Sequence, residues 1–209
     1  METLSDILVG DRIMDKSNNS VDDVFDTFLS REPLFKNREI LAANYVPAQI
    51  PHRQDLLTKL AQMLAPSLRL SKPSNLFIYG NTGTGKTLSI RHTTTRLTEH
   101  ARKVDAPLKA IYLNCKLKKT ADTEYRIIAQ ILREFGQNVP ITGLPTDELY
   151  RIFEHCIEQK KQLVILILDE VDQLVKKCGD DILYNFTRLN ADLKNAHISI
   201  IGISNDVTF

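Results

Sequence analysis

Residues 74–87 constrain the fold more tightly than any other stretch. Ser74-Asn75-Leu76-Phe77-Ile78-Tyr79 reads as an apolar strand, and it runs into Gly80-Asn81-Thr82-Gly83-Thr84-Gly85-Lys86-Thr87. The second half is G-x-x-x-x-G-K-[ST], a loop whose backbone N–H groups turn inward around phosphate oxygens. Such a loop needs residues that tolerate positive φ and carry no bulk, which Gly80, Gly83 and Gly85 supply. The helix expected next, to about Arg102, adds its positive N-terminal end. Lys86 is placed to reach the β- and γ-phosphates, and the Thr87 hydroxyl to ligate Mg²⁺.

A second stretch fits the first. Leu163-Val164-Ile165-Leu166-Ile167-Leu168 is continuously apolar and ends in Asp169-Glu170. A strand apolar on both faces belongs inside a covered parallel sheet, and open α/β sheets bind ligands at the carboxyl ends of their strands. There Asp169 is expected to hold Mg²⁺ and Glu170 to polarise a water as general base. The competing reading is an acidic strand end that caps the next helix; Asp172 either assists the acidic pair or, as the stronger expectation, caps the helix running to about Lys177. Farther on, Ile198-Ser199-Ile200-Ile201-Gly202-Ile203 forms another strand, ending in Ser204-Asn205-Asp206. The Asn205 amide is a candidate for contacting the terminal phosphate or the water, because an amide both donates and accepts.

Composition narrows the class. A chain of 209 residues with 43% apolar and 25% charged content suits one α/β domain, or somewhat more than one. The net charge of +1 argues neither for nor against nucleic acid; a basic surface for DNA is either local or lies outside this chain. Cys115, Cys156 and Cys178 are widely spaced, which excludes a recognisable zinc or disulfide framework and fits a reducing cytoplasm. Neither a signal-like N-terminal run nor a membrane-length apolar stretch is present.

The remaining elements follow from periodicity. Residues 1–19 are polar and read as a flexible arm, with residues 20–209 as one domain. Ser20 is a helix cap before Val21, Val24, Phe25, Phe28 and Leu29, which share one face. Pro51 suits the first turn of a helix carrying Leu56, Leu57, Leu60, Met63 and Leu64. The extended segment ahead of it either wraps an adenine ring or is a packed connector. Thr93-Thr94-Thr95 forms helix poorly, so tertiary context is expected to hold it. Ala110–Asn114 is a strand followed by Lys116, Lys118 and Lys119. Ile128, Ile131, Leu132 and Phe135 mark a helix stopped by Gly136. Thr146 is expected to cap a further helix whose apolar face includes Cys156, a core residue. Gly179 separates two more helices.

The loop, the strand ending in Asp-Glu and the later strand ending in Asn resemble an AAA+ ATPase. "NYVPAQIPHR" before "LFIYGNTGTGKT", then "YLNC", "PITGLPTDELY", "LILDEVDQL" and "IIGISND", resemble more narrowly the archaeal initiator ATPases related to the origin recognition complex and the cell-division-control loading factor. The resemblance runs from about residue 20 to the end. It implies a three-layer α/β domain, a central parallel sheet flanked by helices. It implies that Tyr45, Val46, Pro47 and Arg53 surround the adenine of ATP or ADP and that Thr84 to Leu88 hold the phosphates. It makes Asp169 and Glu170 the metal and catalytic acids and Asn205 the first sensor. An initiator-specific helical insertion that contacts duplex DNA falls at roughly Lys118 to Gly136, with Lys118, Lys119, Thr120, Thr123 and Arg126 as candidate contacts; an ordinary surface helix reads the same way. Family members continue into a fifth strand, an arginine finger, a helical lid and a winged-helix domain. The chain is therefore expected to be part of a longer protein, with an open edge on the phosphate-loop strand, weak hydrolysis and a tendency to aggregate.

The expected function is an ATP-dependent replication initiator, located in the cytoplasm at the nucleoid. Its partners are duplex origin DNA, a replicative helicase of the minichromosome maintenance type and other initiator subunits, and no membrane. The alternatives are a nucleotide-gated DNA-binding switch with negligible hydrolysis, and a non-replicative AAA+ ATPase acting on proteins.

Overall fold

β3, Gln162–Asp169, is buried at every residue and organises the larger part of the chain. The computed structural model describes residues 20–33, 35, 37–42, 45–116, 124–140 and 143–207. The chain divides into two units, Met1–Tyr45 and Val46–Phe209.

In the first unit, α1 spans Val21–Ser30, and Ser20 caps it in a reciprocal box with Asp23. A short 3₁₀ turn follows at Arg38–Leu41. No residue of α1 is buried.

The second unit contains α2 (Gln54–Leu64), β1 (Leu76–Tyr79), α3 (Lys86–Lys103), β2 (Leu108–Asn114), α4 (Glu124–Glu134), α5 (Thr146–Glu158), β3, α6 (Val171–Cys178), α7 (Asp181–Asp192) and β4 (Ala196–Ser204). The strands form one parallel sheet in the order β1-β4-β3-β2. Alternation along β3 explains the layers. Val164, Leu166 and Leu168 join a core with Ile127, Ile131, Phe153 and Phe186 of α4, α5 and α7. Leu163, Ile165 and Ile167 join a second core with Leu60, Leu64, Ile90 and Leu97 of α2 and α3. This is the expected three-layer α/β architecture. β1 lies at the edge of the sheet, with Phe77 and Tyr79 exposed and stacked at 6.1 Å.

Local chemistry accounts for the elements that looked weak. Thr93 and Thr94 hold their place in α3 because their buried hydroxyls donate to the Ser89 and Ile90 carbonyls, at 2.9 and 2.8 Å. Cys156 belongs to the core, as expected. Three boundary expectations are corrected. Pro145, not Thr146, occupies the N-cap of α5 in extended conformation, making Thr146 its first helical residue. Pro51 sits in a turn before α2, whose N-cap is Arg53. Asp172 does not cap α6: Glu170 is the N-cap, and Asp172 is buried within the first helical turn. No helix among the described residues is long and apolar enough to cross a membrane.

Candidate nucleotide site

Register brings the candidate residues to one edge of the sheet. Tyr79 pairs with Ser204, and Asp169 pairs with both Ile203 and Asn114. The Gly80 loop, Asn205 and the Asp169-Glu170 pair therefore leave neighbouring parallel strands at their carboxyl ends. β4 inserts Asn205 between the loop and the acidic pair.

The loop adopts the conformation its glycines permit. Gly80, Gly83 and Gly85 have φ of 149°, 80° and 73°. At Gly83 and Gly85 these values carry steric strain for a residue with a Cβ. Asn81 and Thr82 are exposed, and Thr84 Oγ1 closes the turn by donating to the Asn81 carbonyl at 2.9 Å. Gly85 is the N-cap of α3, and Leu88 lies in its first turn.

Lys86 is 8% exposed, and its Nζ donates to the Gly80 and Asn81 carbonyls at 2.8 and 2.9 Å. Among the described residues no carboxylate pairs with it. A buried ammonium held only by carbonyls, beside a helix N-terminus, favours an anion. Next to it, Thr87 Oγ1 donates to Asp169 Oδ2 at 2.9 Å. A hydroxyl and a carboxylate meeting beside a phosphate loop are the hard oxygen donors that suit Mg²⁺, which completes its shell with water and phosphate oxygens. Among the described residues no three His, Cys, Asp or Glu side chains form a metal-binding cluster, and such a Mg²⁺ site needs none.

Glu170 adopts a left-handed conformation, φ 56° and ψ 44°, and its backbone N–H donates to Asp169 Oδ1 at 3.0 Å. Its carboxylate pairs with Lys116 Nζ at 3.4 Å, with the Glu170 side chain 20% exposed. Asn205 is exposed one residue past β4.

The segment ahead of α2 runs beside α3. Pro47 O meets His92 Nδ1 at 3.1 Å, Arg96 donates to Ala48 O at 3.4 Å, and Val46 is half-buried. The Arg53 guanidinium lies against Gly85, 3.5 Å from where a Cβ would stand. Tyr45 belongs to the other unit and is described only there. Lys118, Lys119, Thr120 and Thr123 lie outside the described residues; Arg126 is half-buried on α4.

Sequence reasoning missed two groups at this site and left the partner of a third unread. Tyr112 donates from its hydroxyl to Asp169 Oδ2 at 2.5 Å, while Arg91 stacks on its ring at 4.4 Å. Burial first, and the Asp169 contact second, hold the Tyr112 phenol well above its ordinary value. Lys116 is the second group, through Glu170. The third is Asp172, whose carboxylate accepts from Ser204 Oγ at 3.1 Å. Each contact crosses the sheet or joins separate elements, so only the register reveals it.

Comparison with known proteins agrees with this geometry. The AAA domain family matches residues 68–205. The chain is 45% identical over 196 residues to the ORC1-type DNA replication protein of Thermococcus onnurineus, covering 92% of this chain and 46% of that protein. It is 44% identical over 193 residues to the protein of that name from Pyrococcus abyssi, covering 90% and 45%. The chain thus spans less than half the length of these curated relatives. Among solved structures, Aeropyrum pernix ORC1 in complex with DNA superposes with a TM-score of 0.76 at 39% identity, over 83% of this chain and 44% of that one. Aeropyrum pernix ORC2 with ADPNP and ADP shares the fold, with a TM-score of 0.70 at 24% identity over 83% and 46%. The chain belongs to the AAA domain family, and within it resembles the archaeal ORC1-type DNA replication proteins.

Proposed function

We propose that residues 20–209 are the nucleotide domain of an ATP-binding and weakly ATP-hydrolysing replication initiator, which binds origin DNA and recruits or loads a replicative helicase. The observation that carries this reading is the cluster of buried Lys86, half-buried Thr87 and buried Asp169 at the mouth of a glycine loop. The roles follow from position. The loop N–H groups and Lys86 hold phosphates, while Arg53, Val46 and Pro47 border the base. Thr87 and Asp169 would hold Mg²⁺, which would supply positive charge to offset that of the phosphates. Glu170 orients and deprotonates a water, and Asn205 contacts the terminal phosphate. Lys118, Lys119, Thr120, Thr123 and Arg126 contact duplex DNA. Other initiator subunits assemble with it, and the protein acts in the cytoplasm at the nucleoid.

Nucleotide binding is tested by titrating labelled ATP and ADP with Mg²⁺ against the chain and Lys86→Ala. Loss of at least tenfold in affinity is expected, because a buried cation–phosphate contact is removed; equal affinity of the two proteins overturns the reading. Duplex binding by the protein is followed across a salt series with ATP, ADP or neither. Nucleotide-sensitive, sequence-preferring binding is expected, and ATP binding without DNA affinity moves the reading to a protein-remodelling ATPase.

The Lys116–Glu170 pair favours a second reading, a nucleotide-gated switch that turns over slowly because its general base is engaged by a cation. Glu170→Gln separates the two: a hydrolysing enzyme loses turnover and retains ATP, whereas a static binder changes little.

A further inference from the structure

We propose that Asp172 is a positioning residue for Asn205, tying α6 to the turn that presents the amide. The inference rests on the nucleotide-site reading and assigns a task to a buried carboxylate which that reading leaves unused. Asp172 is 4% exposed and lies two residues after Glu170. Burying a carboxylate is costly unless its oxygens are satisfied. Here Oδ1 accepts from Ser204 Oγ at 3.1 Å, and Oδ2 accepts from Gln173 Nε2 at 2.7 Å with Lys176 Nζ at 4.0 Å.

Ser204 is fully buried at the end of β4. Its hydroxyl also accepts from the Asp206 backbone N–H at 2.9 Å, which closes a tight turn around Asn205. Lys176 Nζ reaches Asp206 Oδ2 at 3.0 Å. Both neighbours of Asn205 are thus anchored to α6, one from beneath through Asp172 and one from the rim through Lys176. Asn205 itself is exposed and makes no side-chain hydrogen bond among the described residues. Because α6 starts directly after Asp169-Glu170, the acidic pair and the amide are fixed to one rigid element. That arrangement limits the amide to a narrow set of positions relative to the acidic pair, which a contact to a terminal phosphate requires.

The test is the ratio of ATP to ADP affinity with Mg²⁺, measured by titration calorimetry on the chain, Asp172→Ala, Asp172→Asn, Asn205→Ala and Asp172→Ala/Asn205→Ala. Asp172→Ala is expected to weaken ATP about five- to tenfold and ADP less than about twofold, as loss of one charge-assisted contact to the terminal phosphate predicts. The double variant should be no worse than Asn205→Ala, since the two act through one contact. Asp172→Asn keeps an acceptor for Ser204 and should recover most of the ratio. Equal weakening of ATP and ADP, or additive losses in the double variant, overturns the proposal and leaves Asp172 a packing residue. If Asp172→Ala does not fold, Lys176→Ala removes the exposed tether alone. A drop of about two- to threefold in the ratio supports the proposal, and an unchanged ratio overturns it. Binding of neither nucleotide by the unmodified chain overturns the site reading itself, an outcome distinct from normal binding with an unchanged ratio in Asp172→Ala.

Discussion

Removing one hydroxyl, in Tyr112→Phe, tests how the candidate metal carboxylate is held. Tyr112 and Thr87 both donate to Asp169 Oδ2, at 2.5 and 2.9 Å, and Asp169 is 4% exposed. Deleting a hydrogen bond to a charged acceptor costs about 1.5–3 kcal/mol. Thr87 remains on the same oxygen and the ring keeps its stacking with Arg91, so the cost falls at the lower end, about 1–2 kcal/mol. For a chain of this size each kcal/mol shifts Tm by about 2–4 °C, giving a fall of about 2–8 °C. The more discriminating assay is a double-mutant cycle with Thr87→Val, followed by urea denaturation. Removing both donors strands a buried carboxylate oxygen, so the double variant should lose about 1 kcal/mol more than the sum of the singles. The pH dependence has a defined sign. The folded-state pKa of Tyr112 is raised above its ordinary value of 10.0. Its contribution is therefore fully present below pH 10 and lost as pH rises beyond it. Additive losses, or a Tyr112→Phe cost below about 0.3 kcal/mol at pH 7, would refute the shared-oxygen account.

Other outcomes follow from single sites. Glu158 accepts backbone N–H groups of Ala196, Lys194 and Asn195 at 2.9, 3.0 and 2.9 Å, which holds its carboxyl below 4.5. Glu158→Gln should lose about 1 kcal/mol at pH 7, and the difference should shrink as pH falls below 4.5; denaturation at pH 7 and pH 3.5 checks this. Burial, with the nearby Asp169 carboxylate second, pushes the Cys115 thiol up to about 12, so iodoacetamide at pH 8 should label half-buried Cys178 well before Cys115, read by peptide mass spectrometry. Phe153 is fully buried between Phe135 and Phe186, at centroid distances of 6.2 and 6.4 Å, and Phe153→Ala should lose about 3–5 kcal/mol in urea denaturation.

The parts of the site legible in the sequence are those written locally. The glycine loop, its lysine and threonine, and the Asp-Glu pair after an apolar run each fit within about ten residues, and strand polarity alone brings them to one edge. The sheet layers were legible for the same reason, since β3 has no polar face. What stayed hidden depends on registry between distant strands. Tyr112 meets Asp169 because Asn114 pairs with Asp169 and Tyr112 lies two residues earlier, on the same face of β2. Asp172 looked like a helix cap because Asp commonly caps, and nothing local showed that Ser204 would meet it from another strand. Thr146 misled in the same way: a residue with the right chemistry stood one position inside the helix it was expected to start.

The strand order also has a consequence for assembly on the ribosome. β1 pairs with β4 alone among the described strands, and Asn75 bonds to Ile200 across a separation of 125 residues. At translation rates of about 5–20 residues per second, the phosphate loop emerges roughly 6–25 seconds before the strand that fixes it. During that interval the nascent chain carries a glycine loop and two exposed aromatic side chains on an unpaired strand. The β2–β3 pair can form meanwhile, but nucleotide cannot hold the loop in place until β4 threads between β1 and β3. Insertion of β4 is thus expected to precede ligand capture, which makes nucleotide affinity a readout of a fully inserted β4.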